Sequence, residues 1–436
     1  MKIKKIEKFI IENKISEKIV SIILFLYPYS VYFQGKLLKN ILFPLLLIIA
    51  IYNVIKKGIK CSFYEKYFLS FIFIMIVSII FQNYVGDKSL LEKIMPILRW
   101  GILPLIVGQL SLTENQIKVG IIGYFFSFIF ILNKAFETTT KFLLDSTGIK
   151  VNYLEVLKLE SYKIIEKFGN SFRLVGMFNT VTENAIMLGI MLVFSFCILI
   201  NNKIQNFIRL AAIPFFLLSF YFMIISGSRG MYVALITTLL LSFLLRGILG
   251  NKIIKKIKLS IAVLLSVVVI IALVPENNVY KQRIQSIAKG DQARMVVYEE
   301  SIKLFKENPL TGIGYGNFPQ AEQSIKNSFS YWGKYKHEHN MGLKMLVETG
   351  ILGFIIYFLM MGNIIYNLIK KQPKLINCIA LGTISVFMIY ENFETIIIYN
   401  KPNMYLFFLI ALAINPLYNG IKIKKYFKEN SFLIKR

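Results

Sequence analysis

Two histidines stand close together in the chain, and it has no others. His337 and His339 lie in the sequence Lys-His-Glu-His-Asn, directly before an apolar stretch that starts near residue 341. An imidazole can take a proton from a hydroxyl group near neutral pH, and the free N–H groups at a helix start favour an anion. We therefore expect His339 to act as a base, with His337 supporting it; a hydrogen bond at the membrane interface is the alternative. A zinc site is not expected, because no cysteine or third histidine is near.

Arginines are the residues of this chain best suited to bind an anionic substrate. Arg229 lies in the turn 226–230, Ser-Gly-Ser-Arg-Gly, between two apolar stretches, where a cation is costly unless it meets water or an anion. Because a guanidinium group binds two phosphate oxygens at once, a cluster of arginines predicts a diphosphate site. For each of them, a cation that extends from a helix end to water is the alternative. The predicted diphosphate-binding residues are Arg229, Arg294, Arg173 and Arg99.

A glycine-rich segment precedes the histidines. Residues 308–318 carry the spacing Gly-x-Gly-x-Gly at Gly312, Gly314 and Gly316. A nucleotide-binding loop of that spacing follows a β-strand, and no strand is predicted here. We interpret the segment as a turn whose glycines let the backbone approach a ligand or another helix.

Two opposite charges fall inside the apolar stretch after the histidines. Lys344 and Glu348 are one helical turn apart, and we expect them to form a structural pair on a different side of the helix from His339. Gly350 and Gly353 follow, and they are expected to permit close helix contact.

The composition of the chain indicates which elements must hold these residues. Of 436 residues, 56% are hydrophobic and only 17% are charged, and the mean hydropathy is +0.60. These values predict an all-α polytopic membrane protein and exclude a disordered chain. Three cysteines are too few for a secreted disulfide scaffold. The net charge of +27 would indicate nucleic acid in a soluble protein, so its distribution along the chain matters.

Apolar stretches long enough to cross a bilayer predict about 12 transmembrane helices, since a crossing helix needs roughly 17 to 25 residues. The predicted spans are 19–34, 38–55, 67–82, 94–110, 117–133, 182–200, 207–226, 230–246, 257–274, 341–364, 376–392 and 402–420.

Lysine and arginine are concentrated in alternate connections, as the positive-inside rule expects of cytoplasmic loops. The basic runs extend from Lys56 to Lys66, from Arg246 to Lys258, from Lys370 to Lys374 and along the tail from Lys422. We therefore predict that both termini are cytoplasmic and that no nucleic acid is bound. The protein is placed in the cytoplasmic (inner) membrane, with the histidines and arginines on the periplasmic face.

This topology divides the chain into five regions. Residues 1–133 hold the first five helices, 134–181 an extracytoplasmic segment, 182–274 the next four helices, 275–340 a large helical extracytoplasmic loop, and 341–436 the last three helices and the basic tail. Each outer segment contains an amphipathic stretch. The first extends over Val151–Lys167, and the second is a helix capped by Asp291 that ends before Pro309.

The order of the motifs resembles the O-antigen ligase and polymerase family, over about residues 173 to 355. The matching motifs are Arg173-x-x-Gly176-x-Phe178, the turn 226–230 at the head of a helix, Arg294 followed by Asn308-Pro309-x-x-Gly312-x-Gly314-x-Gly316-Asn317-Phe318, and His339-Asn340-x-x-Leu343 with Glu348-x-Gly350-x-x-Gly353. One position departs from the family. Thr182, with Asn184 two residues later, stands where the family often has an asparagine.

The resemblance implies a membrane glycosyltransferase of the type C architecture that uses no metal and no cofactor. Its donor would be a glycan on undecaprenyl diphosphate, and its acceptor a hydroxyl of the lipid A core in a ligase or another lipid-linked repeat unit in a polymerase. By position, His339 matches the base or acceptor-orienting residue, and Arg229 and Arg294 match arginines that contact the diphosphate. The expected supporting residues are Asn340, His337, Ser228, Gly312 and Gly314.

The sequence leaves three functions open. We favour an O-antigen ligase of lipopolysaccharide biosynthesis, with a repeat-unit polymerase as the alternative. A flippase or exporter of lipid-linked glycans is a third function, from a different class. It is less favoured because its charges would line a path through many helices, whereas here the distinctive residues collect on one face.

Overall fold

The computed structural model describes the protein over residues 15–32, 36–81, 89–110, 112–148, 150–157, 174, 176, 180–201, 204–228, 230–237, 292–319, 321, 337–370, 375–415 and 419–420. Its named helices are α1 (Ile15–Tyr32), α2 (Lys36–Lys57), α3 (Phe63–Ile80), α4 (Leu90–Gly101), α5 (Leu103–Gly108), α6 (Glu114–Thr147), α7 (Tyr153–Val156), α8 (Val181–Leu199), α9 (Asn206–Ser226), α10 (Gln292–Glu307), α11 (Met341–Lys370), α12 (Leu375–Tyr390) and α13 (Asn400–Ile414). A 3-10 turn, Ile396–Ile398, precedes α13, and β1 (Lys60–Cys61) pairs antiparallel with β2 (Asn419–Gly420).

Six helices in the described part of the chain are long and apolar enough to cross a membrane, namely α2, α3, α6, α8, α9 and α11. Helix α12 is apolar but shorter. The prediction of an all-α polytopic membrane protein is therefore confirmed. Of the predicted spans, 257–274 lies outside the described residues, and 230–246 is described only over 230–237, where it is helical.

Helix α13 lies at the centre of the bundle. It is buried from Pro402 to Ile414, as expected for a helix that is apolar on all sides, and it packs against α4, α5 and α12. The Tyr405 hydroxyl donates to the Pro28 carbonyl at 2.6 Å, which ties α13 to α1. Directly after α13, the Asn415 amide donates to the Val107 carbonyl at 2.7 Å.

The predicted span 94–110 is divided between two consecutive helices. Helix α4 ends at Gly101, and α5 begins at Leu103. Pro104 has no N–H group to continue the helical hydrogen-bond pattern. Beside the break, the Tyr64 hydroxyl donates to the Gly101 carbonyl at 2.8 Å. A Cβ atom at Gly101 would lie 2.1 Å from the ring of Phe68, so glycine at this position lets α3 approach closely.

Helix α6 continues well beyond the predicted boundary at residue 133. It has 34 residues, about 51 Å at 1.5 Å per residue, and therefore exceeds a bilayer core of about 30 Å. Ala135, Thr139 and Leu143 are buried at four-residue intervals, so one side of this extension packs on the protein. Hydropathy missed it because Lys134 and Glu137 pair on the exposed side.

The two amphipathic stretches of the outer segments are described in part. The first, predicted over 151–167, is helical at Tyr153–Val156, and residues 158–173 lie outside the described residues. The second is α10, which ends at Glu307, before Pro309, as predicted. Its predicted cap, Asp291, lies outside the described residues.

Helix α11 is broken near its start rather than continuous. Gly350 has φ 67° and ψ −172°, a conformation that interrupts the helix. The segment 308–318 bonds to the backbone on both sides of the break: the Ile313 N–H donates to the Val347 carbonyl at 2.8 Å, and the Ile351 N–H donates to the Pro309 carbonyl at 2.9 Å. The glycine-rich segment is thus built into the interrupted helix.

Two groups of residues join helix ends in the described part of the chain. One group, the basic end, joins Lys60, Gln109 and Asn415: the Gln109 side chain bonds both backbone groups of Lys60, and Asn415 accepts from the Leu112 N–H at 3.0 Å. The other, the histidine end, joins residues 337–341, the segment 308–318, α10, the start of α4 and the turn 391–395 after α12. Three parts of the histidine end, α10, the segment 308–318 and residues 337–340, belong to the predicted outer segment 275–340.

Candidate functional site

Both histidines face the same carboxylate. Glu394 Oε1 lies 3.3 Å from His337 Nδ1 and 3.2 Å from His339 Nδ1, and the ring centroids are 4.2 Å apart. The Glu394 side chain is 7% exposed, whereas those of His337 and His339 are 15% and 24% exposed. His339 is therefore the more accessible imidazole, with a buried carboxylate behind its Nδ1 atom.

The backbone at His339 is left-handed, with φ 52°, and among the described residues only glycines otherwise have a positive φ. Such a conformation costs about 1–3 kcal/mol and persists only where the surroundings hold it. Asn340 caps α11, since its side-chain oxygen accepts from the Leu343 N–H at 3.0 Å. The Met341 N–H donates to the Glu391 carbonyl at 2.8 Å, which fastens the start of α11 to the turn that carries Glu394.

Glu338, between the two histidines, is fully buried and contacts a lysine instead of Glu394. Lys344 Nζ lies 3.5 Å from Glu338 Oε2 and 2.5 Å from Glu348 Oε2, and it sits 5.2 Å from the ring centroid of Tyr315. The predicted pair Lys344–Glu348 is confirmed, and Glu338 is a second partner that the sequence did not indicate. This cluster anchors the segment that carries the histidines.

Arg294 is held at the site by α10. Its charge acts on both His337 and Glu394, so the structure brings this predicted arginine to the histidines. Tyr298, one turn later on α10, donates from its hydroxyl to the His339 carbonyl at 3.4 Å. Helix α10 thus brings the Arg294 cation to the histidines and a hydrogen bond from Tyr298 to the backbone of His339.

The turn 226–230 packs beside the site. Ser228 Oγ and the Tyr390 hydroxyl form a hydrogen bond of 2.9 Å. A Cβ atom at Gly230 would lie 2.7 Å from Phe393, so only glycine fits this close contact. Arg229 itself lies outside the described residues, but both of its chain neighbours pack on the segment 390–393 that leads to Glu394.

The start of α8 explains the departure from the family pattern. Thr182 lies next to the hydroxyl groups of Tyr390 and Tyr399, so it is one of the polar residues beside the site. The Asn184 side chain donates to the Leu174 carbonyl at 3.1 Å, and its oxygen would lie 2.5 Å from a Cβ atom at Gly176. Asn184 therefore holds the turn after the Arg173 position, while Arg173 lies outside the described residues.

The glycines of the segment 308–318 contact a helix. Gly312 and Gly314 have φ values of 71° and 95°, and the Gly314 N–H donates to the Glu348 carbonyl at 3.1 Å. A Cβ atom at Gly312 would lie 2.5 Å from the same backbone. Of the two roles predicted for these glycines, approach to a ligand or to another helix, the second is the one observed.

Arg99 is exposed in the last turn of α4. The cation of α4 that reaches the segment 308–318 is Lys93, which is buried and donates to the Asn317 side chain at 2.5 Å. The structure therefore joins α4 to the histidine end through Lys93 rather than through Arg99.

The pKa values follow from burial and from the charges around Glu394. Burial lowers the pKa of His337 to about 4, although the Glu394 charge opposes this shift. Burial alone would raise the pKa of Glu394, but the adjacent His339 imidazole and the charges of His337, His339 and Arg294 outweigh it and hold this pKa below its usual value. At neutral pH, Glu394 is therefore ionised and His337 is neutral.

Glu394 is the main site residue that the sequence analysis missed. It lies in the short connection between the predicted spans 376–392 and 402–420, and Glu391 lies at the end of the first of these spans. An acid in a short connection on the predicted outer face, the face that also holds both histidines, is the signal that the sequence offers. Because both histidines meet Glu394, each of the three residues offers a ligand atom within 4.8 Å of the others, a set of the kind that holds a metal ion.

Comparison with known proteins gives one family. Residues 214–358 match the model of the family described as O-antigen ligase, and no curated protein matches the chain. The matched region contains Arg229, Arg294 and both histidines, whereas Glu394 lies beyond it. The match supports a ligase- or polymerase-like role for a multi-pass membrane glycosyltransferase that acts on lipid-linked glycans. Residues 214–358 therefore carry the domain described for the O-antigen ligase family.

Proposed function

We propose that the protein is an O-antigen ligase that transfers a glycan from undecaprenyl diphosphate to a hydroxyl of the lipid A core. The observation that carries this proposal is the placement of His339 Nδ1 3.2 Å from Glu394 Oε1, at the start of α11 and beside Arg294. A histidine oriented by a carboxylate is an arrangement that serves as a general base.

The reaction requires an acceptor hydroxyl to replace a diphosphate. When Nδ1 carries the proton toward Glu394, Nε2 of His339 has a free electron pair and takes the acceptor proton. The acceptor oxygen then forms a bond to the anomeric carbon of the donor, and the bond from that carbon to the diphosphate oxygen breaks. The electron pair leaves with undecaprenyl diphosphate. A single displacement of this kind inverts the configuration of the anomeric carbon.

The arginines stabilise the leaving group. Negative charge grows on the diphosphate oxygens as the bond breaks, and fixed cations lower the energy of that transition state. Arg294 and Arg229 are proposed to contact the diphosphate, with Arg173 and Arg99 as further candidates. Because diphosphate is a good leaving group, the proposed mechanism uses no metal and no cofactor. The site faces the periplasm in the inner membrane, with both termini in the cytoplasm.

Purified protein in detergent, with lipid-linked donor and lipid A-core acceptor, tests the proposal. We expect transfer by the wild-type protein and loss of transfer in His339→Ala. Transfer in the absence of vesicles excludes a flippase or exporter as the sole function. Joining of donor units to each other, with no transfer to the core, would instead identify a polymerase, and full activity of His339→Ala would remove the assigned base.

Arg294→Ala tests the leaving-group role separately. Removing one donor of this kind costs about 100-fold or more in rate, so we expect a loss of that size in transfer. Lys303→Ala on the exposed side of α10 is the matched control and should transfer at the wild-type rate, because Lys303 pairs only with Glu300 on its own helix in the described part of the chain. A near-normal rate for Arg294→Ala would contradict the diphosphate site.

A further inference from the structure

We propose that His337, His339 and Glu394 bind one divalent transition-metal ion, such as Zn²⁺, and that this ion inhibits transfer. Binding follows from the side chains themselves. Inhibition rests on the proposed function, because it requires His339 to be the base.

Two of the three distances between the ligand atoms already fit such an ion. Zinc binds histidine nitrogen and carboxylate oxygen at about 2.0–2.2 Å, so ligand atoms around a tetrahedral ion lie about 3.3–3.5 Å apart. Glu394 Oε1 lies 3.3 Å from His337 Nδ1 and 3.2 Å from His339 Nδ1. The three ligand atoms all lie within 4.8 Å of one another, so a small rotation of an imidazole would bring the two histidine nitrogens to the spacing of such an ion.

The backbone holds both histidines toward Glu394 before an ion binds. They turn to one carboxylate while Glu338 between them contacts Lys344, and the left-handed His339 is followed by the Asn340 cap. A site held in place by its surroundings loses little entropy when an ion binds. Both imidazoles are partly exposed, so an ion can enter, and three protein ligands leave a fourth position for water.

Arg294 sets the strength of binding. One carboxylate and two neutral imidazoles offset only part of the ion's double charge, and the guanidinium group of Arg294 acts on the same carboxylate with the opposite effect. Removal of this arginine should therefore strengthen metal binding while it weakens transfer. No simple loss of folding produces that combination.

Metal binding and base catalysis need His339 in different states. As a base, His339 holds a proton on Nδ1 toward Glu394, whereas a metal on Nδ1 displaces that proton and takes the carboxylate oxygen as well. An ion in the site therefore removes the contact that orients the imidazole. This is the reason to expect inhibition rather than activation.

Zinc titration against a fluorescent chelator measures the binding. The full chain is purified in detergent with a tag that contains no histidine, in a Cys61→Ser/Cys378→Ser background, because these two thiols are the accessible ones. We expect one site per chain. His337→Ala and Glu394→Gln should each weaken it at least about tenfold, Arg294→Ala should strengthen it, and Glu299→Gln on the exposed side of α10 should leave it unchanged.

Equal zinc affinity in the background protein, His337→Ala and Glu394→Gln would overturn the proposed site, as would weaker binding by Arg294→Ala. Inhibition is tested by adding Zn²⁺ to the transfer assay, with recovery expected on addition of EDTA. Zinc binding without any effect on transfer would overturn inhibition alone. The binding titration needs no substrate, so absence of transfer in every sample counts against the proposed function and not against the site.

Discussion

At the scale of single residues, the proposed mechanism depends on which nitrogen of His339 carries a proton. Glu394 Oε1 lies 3.2 Å from Nδ1, and an ionised carboxylate there would favour a proton on Nδ1 and leave Nε2 as the proposed proton acceptor. Glu394→Gln keeps the size of the side chain but removes its charge. We expect about a 100-fold or greater fall in kcat with little change in the KM for the donor, measured in the detergent transfer assay.

Glu299→Gln is the control for this change, because Glu299 is an exposed acid on α10. It should transfer as the wild-type protein does. A Glu394→Gln variant with normal kcat would show that the imidazole needs no carboxylate.

The buried acid Glu391, in the same turn, should make the stability of the protein depend on pH. Burial raises its pKa from 4.5 to about 8, against the effect of the Tyr357 hydroxyl that donates to it. Between these values the unfolded chain has lost the proton and the folded protein keeps it, so stability falls as pH rises through this window. Glu391→Gln cannot lose a proton, and we expect its apparent unfolding temperature to fall less between pH 5 and pH 8 than that of the wild-type protein, measured in detergent. An equal fall in both proteins would contradict the buried neutral acid.

At the scale of elements, the break in α11 positions the start of that helix. Gly350 has φ 67°, and a Cβ atom there would lie 2.1 Å from the Leu310 carbonyl oxygen. Alanine at this position must adopt an unfavourable backbone or push away the segment 308–318. We therefore expect Gly350→Ala to destabilise the protein by more than about 1 kcal/mol and to reduce transfer, measured by unfolding temperature and the transfer assay.

Gly362 supplies a matched control in the same helix. No atom outside the helix's own nearby backbone lies within 4 Å of a Cβ atom there, and its backbone is helical. Alanine is the better helix former, so Gly362→Ala should keep or slightly raise the unfolding temperature. Equal destabilisation by both variants would mean that the break itself carries no special contact.

These elements also show what a sequence can and cannot indicate. Helical spacing alone predicts the pair Lys344–Glu348, which the structure contains, and the position of His339 before an apolar stretch is what makes it a candidate. Glu394 reaches His339 only through the packing of α12 against the start of α11, which no local pattern records. At the junction of α4 and α5, Pro104 is a signal that the sequence does carry, whereas the contacts of Gly101 with Phe68 and Tyr64 of α3 are not local in sequence.

At the scale of the whole molecule, the two groups of helix ends make the orientation in the membrane testable. Lys56 is exposed near the basic end, where β1, β2 and Asn415 meet, and Glu299 is exposed on α10 at the histidine end. The positive-inside rule assigns the basic end to the cytoplasm. In a chain without native cysteines, a membrane-impermeant thiol reagent should therefore label Glu299→Cys in cells whose inner membrane is intact. Lys56→Cys should react only after that membrane is permeabilised. The reverse pattern would put His339 and Glu394 on the cytoplasmic side and would contradict the proposed transfer on the periplasmic face.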